Sequence, residues 1–342
     1  MKKAYKVFST VVLALILILV SACGNTSSEV KETAVNTDKS AAAGTLQGDV
    51  AAEFTLVAGA PGWPQSMGFI ANKQGYYKDA GLSGLDFKAL PSGTAAGEAI
   101  GSGSAQIGYT NTATAVALLA NGAPVKILSG TSTGGNGIVV MDKAIDSVEK
   151  LKGKKVGVPQ GRTLHELQFR LHVLKQAGLT YSDITPVPLN PQDTYLPLER
   201  GEIDAAVMYD PYISIALDKG ATMLVPPEKM WEGPAYFSVL IARNELIEKN
   251  PALVQAVTDV HAKTIQFIKD EPQKASEILA EFSRQDVKVT HDSLETNIVL
   301  AEAESKQLQI LVDAMKEQGI IKEAPDMSAG VDPSFIQRSV GK

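Results

Sequence analysis

The sequence predicts an α/β protein of two lobes, with the chain crossing between them twice. Three observations carry that expectation. The chain has 342 residues, 44% of them hydrophobic, and the part after about Ala51 is longer than one core usually organises. Short apolar strands alternate with helices across Gly-rich turns, pause near residue 140 and start again near 150, as two largely parallel sheets would require. From Asn250 onward the pattern is helix after helix, and such a tail needs another surface to pack on, most simply the first lobe.

The N-terminus comes first in order. Lys2, Lys3 and Lys6 precede the apolar run Val7–Val20, and Ser21 and Ala22 are small. That run is short for a bilayer span and has the layout of an export signal. Cys23 is the single cysteine of the chain, so it makes no internal disulfide. "LVSAC" resembles the bacterial lipoprotein box, which implies a lipid on the Cys23 thiol and a membrane anchor. The stretch 23–50 lacks aromatics and reads as a flexible tether behind a leader of residues 1–22.

In the first lobe "EFTLVAG" reads as a strand, "MGFIANKQGYYKDAGL" as a helix closed by Gly81, and "LDFKALP" as a strand. "GTAAGEAIGSG" is a helix and "AQIGYT" a strand running into the helix "NTATAVALLANG", capped by Asn111 or Thr112. "PVKILSGT" is the fourth strand. The second lobe repeats the design with "KKVGVPQ", "ITPVPLN", "IDAAVMYD" and "ATMLVPP" as strands. Its helices are "GRTLHELQFRLHVLKQAGL", "PQDTYLPLERGE" and "PYISIALDKG". The crossings are expected near Gly134–Met141 and Tyr236–Arg243. The first lobe is thus 51–137 with 240–342, the second 138–239.

"GFIANKQGYYKDAGL", "LPSGTAAGEAIGSGSAQIGYTNTATAVALLANGAPVKILSG", "SVEKLKGKKVGVPQG" and "LERGEIDAAVMYDPYISIALDKG" together resemble a known group. These are the substrate-binding proteins of ABC importers that handle sulfonates, taurine, nitrate and thiamine-pyrimidine precursors. The resemblance spans about Phe54–Ile268. It implies a Venus-flytrap fold of the periplasmic-binding-protein kind, a small solute as ligand, and a monomer docking on a membrane permease with its ATPase. It does not fix the ligand; an arginine among hydroxyl and amide donors favours a small sulfonate- or taurine-like anion, then a nitrate-like one, with a thiamine-pyrimidine precursor or other small aromatic as the alternative.

Ligands in such sheets sit beyond the carboxyl ends of the strands, which selects four loops. Trp63 and Gln65 offer an apolar wall and a polar handle, or belong to a loop stiffened by Pro61 and Pro64. Thr110, Asn111 and Thr112 stand at a helix N-terminus that favours anions, or merely cap it. Thr163 caps a second helix, and Arg162 beside it is suited to pair with a carboxylate or sulfonate. His165 is a pH-sensitive donor or a surface residue. Tyr209 and Asp210 close the cleft over the ligand, Asp210 suiting an amine, or Asp210 caps the helix after Pro211. The Gly-rich "GTSTGGNGI" lacks the lysine of a P-loop and reads as a hinge turn of the crossing, with Asn136 in reach of the cleft as the alternative.

Other classes find little support. The formal net charge is −6, and loss of the three leader lysines takes it to −9, which disfavours nucleic acid. "HELQF" has Phe169 where H-E-x-x-H needs histidine, and "GSGSAQ" matches neither a nucleophile elbow nor a dinucleotide loop. No enzyme activity, cofactor or metal is expected. A lipoprotein adhesin or sensor subunit is the alternative of another class.

Overall fold

The computed structural model describes residues 46–59, 62–160, 163–233 and 235–341. The leader, Cys23 and most of the tether, together with Arg162, lie outside those residues. Among the described residues there are eleven strands: β1 (Phe54–Ala58), β2 (Leu85–Ala89), β3 (Ile107–Asn111), β4 (Val125–Gly134), β5 (Asn136–Val140), β6 (Lys155–Pro159), β7 (Thr185–Leu189), β8 (Ala205–Tyr209), β9 (Thr222–Val225), β10 (Ser238–Arg243) and β11 (Asn297–Val299). They form two sheets, in the orders β11-β4-β10-β3-β1-β2 and β7-β6-β8-β5-β9.

Each sheet is apolar on both faces, so its strands read as continuous hydrophobic runs. In β1, Phe54, Leu56 and Ala58 join one buried cluster and Val57 the other. In β8, Ala205 and Val207 face one cluster of the second sheet, and Ala206 and Met208 the other. The period of two side chains places helices on both sides.

Pairing is parallel between β1 and its neighbours β2 and β3, and between β6 and its neighbours β7 and β8. The strands next to the crossings run the other way: β10 is antiparallel to β3 and β4, and β5 to β8 and β9. The sheets are therefore mixed rather than wholly parallel. Going out, the chain changes sheet between Gly134 and Asn136. Both Gly134 and Gly135 have positive φ, +78° and +70°, a region glycine enters without cost. Side chains there would also collide with the Thr296 carbonyl and the Asn297 amide. The return falls between Val225 and Ser238, upstream of the expected 236–243, because β10 belongs wholly to the first sheet.

The helical tail packs where its periodicity requires. Asn250 caps the helix Pro251–Asp270 by accepting from the Leu253 amide, with Pro251 at the first position. Its stripe Leu253, Val254, Val257, Val260, Ile265 and Ile268 lies in the same cluster as β1. Three features escaped the sequence pattern. β11 interrupts the tail and pairs with the end of β4, Asn297 opposite Gly134. The helix after β6 contains a wider turn, with π-type bonding over Phe169–Val173. The first long helix is also split, at Gly75, whose φ is +74°.

Candidate functional site

The loops beyond β1, β3, β6 and β8 converge on one cavity of about 890 Å³ between the sheets. That lies within the roughly 300–1,000 Å³ typical of small-molecule sites. Trp63, Gln65, Asn111, Thr163, Tyr209 and Asp210 all line it.

Trp63 is only 3% exposed, and its indole Nε1 donates to the Thr290 carbonyl at 2.9 Å. It is therefore a wall fixed from behind, tying the first loop to the helix Val287–Thr296. Asn111 caps the helix Thr112–Ala120: its Oδ1 accepts from the Thr114 amide at 2.8 Å, and its Nδ2 donates to the Thr94 hydroxyl at 3.1 Å. The Thr112 amide is taken by the Phe237 carbonyl, so this helix start is partly satisfied by the protein, and Ala113 and Thr114 are its first-turn residues at the wall.

Thr110 and Thr112 are not brought to the cavity. Both are fully buried behind it. The Thr110 hydroxyl donates to the Gly93 carbonyl at 2.6 Å, which joins β3 to the helix Gly93–Ser102. Asn136 is likewise buried, donating to the Gln168 Oε1 at 2.7 Å, and does not reach the cleft. Thr163 caps its helix by accepting from the Glu166 amide at 3.3 Å, which leaves its own hydroxyl proton for the cavity.

His165 is neither a surface residue nor a pH switch. Its ring is stacked between Tyr209, at 4.4 Å and 17°, and Phe237, at 4.8 Å and 8°. Burial pushes its pKa down to about 3, so the imidazole is neutral at ordinary pH. Its Nδ1 has no hydrogen-bond partner in the protein. Because both faces of His165 are occupied by protein rings, this stack is complete without a ligand. Phe237, on the return crossing, was missed by sequence reasoning. Only the tertiary fold puts it opposite His165.

Asp210 is half-buried and bonded from both lobes. Its Oδ1 accepts from Ser214 at 2.5 Å, while Oδ2 accepts from Asn297 Nδ2 at 2.9 Å and from the Thr296 hydroxyl. Pro211 is the residue that flanks the helix Tyr212–Asp218, and the Asp210 carboxylate accepts from the Ser214 amide in its first turn. Burial pushes its pKa up to about 6, against the pull of these donors. A raised folded-state pKa means that the stability tied to the protonated form is complete below the ordinary value. It is lost as pH rises through about 6. Asp210→Asn, which keeps one acceptor for Thr296 and Asn297, is expected to match wild type near pH 4. Near pH 8 it should be more stable by on the order of 2 kcal/mol; urea melts at the two pH values check this.

Charged groups on the wall, among the described residues, are Glu98 and Asp210, with no lysine or arginine. No group of three or more His, Cys, Asp or Glu among the described residues is placed to hold a metal ion. No described helix is long and apolar enough to cross a membrane.

A family model described as NMT1/THI5 like matches residues 63–275. The chain belongs to the NMT1/THI5-like family. The family match takes in all six predicted residues found on the wall, but stops before the tail residues Thr290, Asn297, Met315 and Ile320 that complete it. Similar members include a protein of Brucella abortus (strain 2308) described as a candidate binding protein. It is 30% identical over 236 residues, which is 68% of this chain and 71% of that one. The taurine-binding periplasmic protein of Escherichia coli (strain K12) is 28% identical over 184 residues, 53% of this chain and 56% of that one.

Among solved structures, the periplasmic aliphatic sulphonate binding protein SsuA of Escherichia coli has the same two-lobed fold. Its TM-score is 0.71 at 23% identity, covering 82% of this chain and 92% of that one. The fold also serves catalysis: a mutant of DszB, a desulfurization enzyme, aligns with TM-score 0.66 at 18% identity over 84% of this chain and 99% of that one.

Proposed function

We propose that the protein is the extracytoplasmic solute receptor of an ABC importer, and that it captures a small organic anion of the sulfonate or taurine class. One observation carries this most: strand-end loops from both sheets line a single cavity, with neutral donors at Gln65, Asn111 and Thr163. Two glycines at one crossing supply a hinge, and closure is favoured because only the closed state completes the contacts from both lobes. A membrane permease and its ATPase are the partners this role requires. The receptor is not an enzyme in this reading. The nearest imidazole, His165, is pinned between two rings, and the single cysteine of the chain is Cys23.

Arg162 precedes the wall residue Thr163 and is the proposed counter-ion. Calorimetric titration with taurine, ethanesulfonate and nitrate is expected to show one anion bound per chain. Arg162→Ala should weaken it about ten- to hundredfold, the worth of one charge-assisted bond. Failure of all three solutes to bind would overturn the ligand class.

Lipid on Cys23 is part of the same proposal, with residues 1–22 as leader and 23–50 as tether. Cys23→Ser is expected to move the protein from the membrane to the soluble fraction. The N-terminal peptide should also lose a diacylglyceryl mass. Unchanged partitioning would count against it.

A further inference from the structure

We infer that an open groove outside the solute cavity is a charge clasp between the lobes, in which Arg170 and Lys175 pair with Asp313 and Glu317 and so hold the cavity open. The effect on solute rests on the receptor reading above; the clasp itself does not. The groove has a volume of about 1070 Å³ and shares no lining residue with the solute cavity. One bank is the second-lobe helix, where Arg170 lies in the π-type turn and Lys175 follows it. Such wide turns are frequent at functional sites. The other bank is the tail helix Ser305–Glu317, with Ile310, Asp313 and Glu317. Because the banks belong to different lobes, the lobe angle sets the width of the groove.

The banks carry opposite charge, and no ion pair joins them in this arrangement of the lobes. Arg170 sits over the Tyr181 ring, 5.1 Å from its centre. Asp313 accepts from the Gln309 amide at 2.9 Å. Lys175 and Glu317 have no ion-pair partner among the described residues, while Lys316 is taken by Glu323 at 3.5 Å. Opposite charges facing across water attract more strongly as the gap narrows. Narrowing would also cover Ile310, which is 40% exposed at the bank, and that is favourable too.

The tail helix gives the direction. At about 3.6 residues per turn, Leu308, Leu311, Val312 and Met315 share one face, and Ile310, Asp313 and Glu317 the opposite one. The first face is buried, and its Met315 lines the solute cavity with Leu164 of the second lobe. The second faces the groove. The helix thus stands between two surfaces of the second lobe, and motion toward Arg170 and Lys175 is motion away from Leu164. A shut clasp therefore favours the open cavity, and solute must compete with it.

The test puts nitroxide labels on the two banks of the full chain, at Gln176→Cys and Lys306→Cys, both exposed. Cys23→Ser removes the chain's single native thiol. Pulsed electron–electron resonance at about 0.02 M salt is expected to show a shorter and a longer separation. The shorter population should fall about three- to tenfold at about 1 M salt. Arg170→Glu with Lys175→Glu should cause the same fall, and adding Asp313→Lys with Glu317→Lys should reverse it. A separation indifferent to salt and charge, or a fall that the swap does not reverse, would overturn the clasp. Titration with taurine and ethanesulfonate should show binding tighter by the same factor in the Arg170/Lys175 variant, and a return to wild type in the swap. Unchanged or weaker binding in the first variant would overturn the claim that the clasp holds the cavity open. If neither solute binds the wild type, the receptor reading fails and the label distances still decide the clasp.

Discussion

Trp63→Ala is expected to cost about 3–5 kcal/mol of unfolding free energy, the usual range for emptying a buried aromatic site. The side chain is 3% exposed and sits in the cluster that holds Met67, Leu128 and Leu240. It also donates to the Thr290 carbonyl, and so joins the loop after β1 to a helix of the tail. Trp63→Phe separates the two contributions. It keeps most of the apolar volume but removes this hydrogen bond, at about 0.5–1.5 kcal/mol. Both variants should lose ligand affinity, since the loop carries Gln65 as well. Chemical denaturation followed by circular dichroism measures the stability effects. A cost for Trp63→Ala below about 1 kcal/mol would show that the residue is not packed as described.

Acidification is expected to destabilise the protein through His261, by on the order of 3 kcal/mol between neutral pH and pH 4. The ring is fully buried. Its Nε2 lies 3.1 Å from both the Ser129 hydroxyl and the Gly130 carbonyl, and its Nδ1 3.4 Å from the Tyr109 hydroxyl. The carbonyl can only accept, so the neutral ring is assigned its proton on Nε2. Burial lowers the folded-state pKa to about 4, with the Gly130 carbonyl pulling the other way. The unfolded chain, with an ordinary histidine, therefore takes up a proton that the folded chain refuses. Stability is complete above pH 6.5 and is lost as pH falls through about 4. His165 acts in the same direction, with a folded pKa of about 3, whereas Asp210 acts in the opposite one. His261→Gln, which keeps a donor for the Gly130 carbonyl, should show a shallower pH dependence over that window. Identical slopes for the two proteins would contradict the assignment.

Much of this organisation was legible in the residues because it depends on local chemistry. Asn111 and Thr163 act as helix caps, and side-chain oxygens beside a helix start have few other uses. The alternation of short apolar strands with helices announced two α/β sheets. The rule that ligands sit beyond strand ends chose four loops, and all four reach the cavity.

What stayed hidden depends on the third dimension. Thr110 and Asn111 are adjacent, yet successive strand side chains face opposite sides; one hydroxyl is spent inside on Gly93 while the neighbouring amide lines the wall. Phe237, Asn297 and Ile320 come from segments far along the chain, and no spacing in the sequence relates them to His165, Asp210 or Leu118. The short strand β11 has three residues inside a helical tail. Its signal is the edge of β4 waiting for a partner, which only the fold reveals.

The most direct test of a captured anionic solute is native mass spectrometry of the purified protein, before and after mild unfolding and refolding with a solute panel. A single small anion bound one to one, and lost in the Arg162→Ala and Asn111→Ala variants, is the expected result. A protein that carries no solute as purified, and takes up no sulfonate, carboxylate or nitrate after refolding, would contradict the receptor reading.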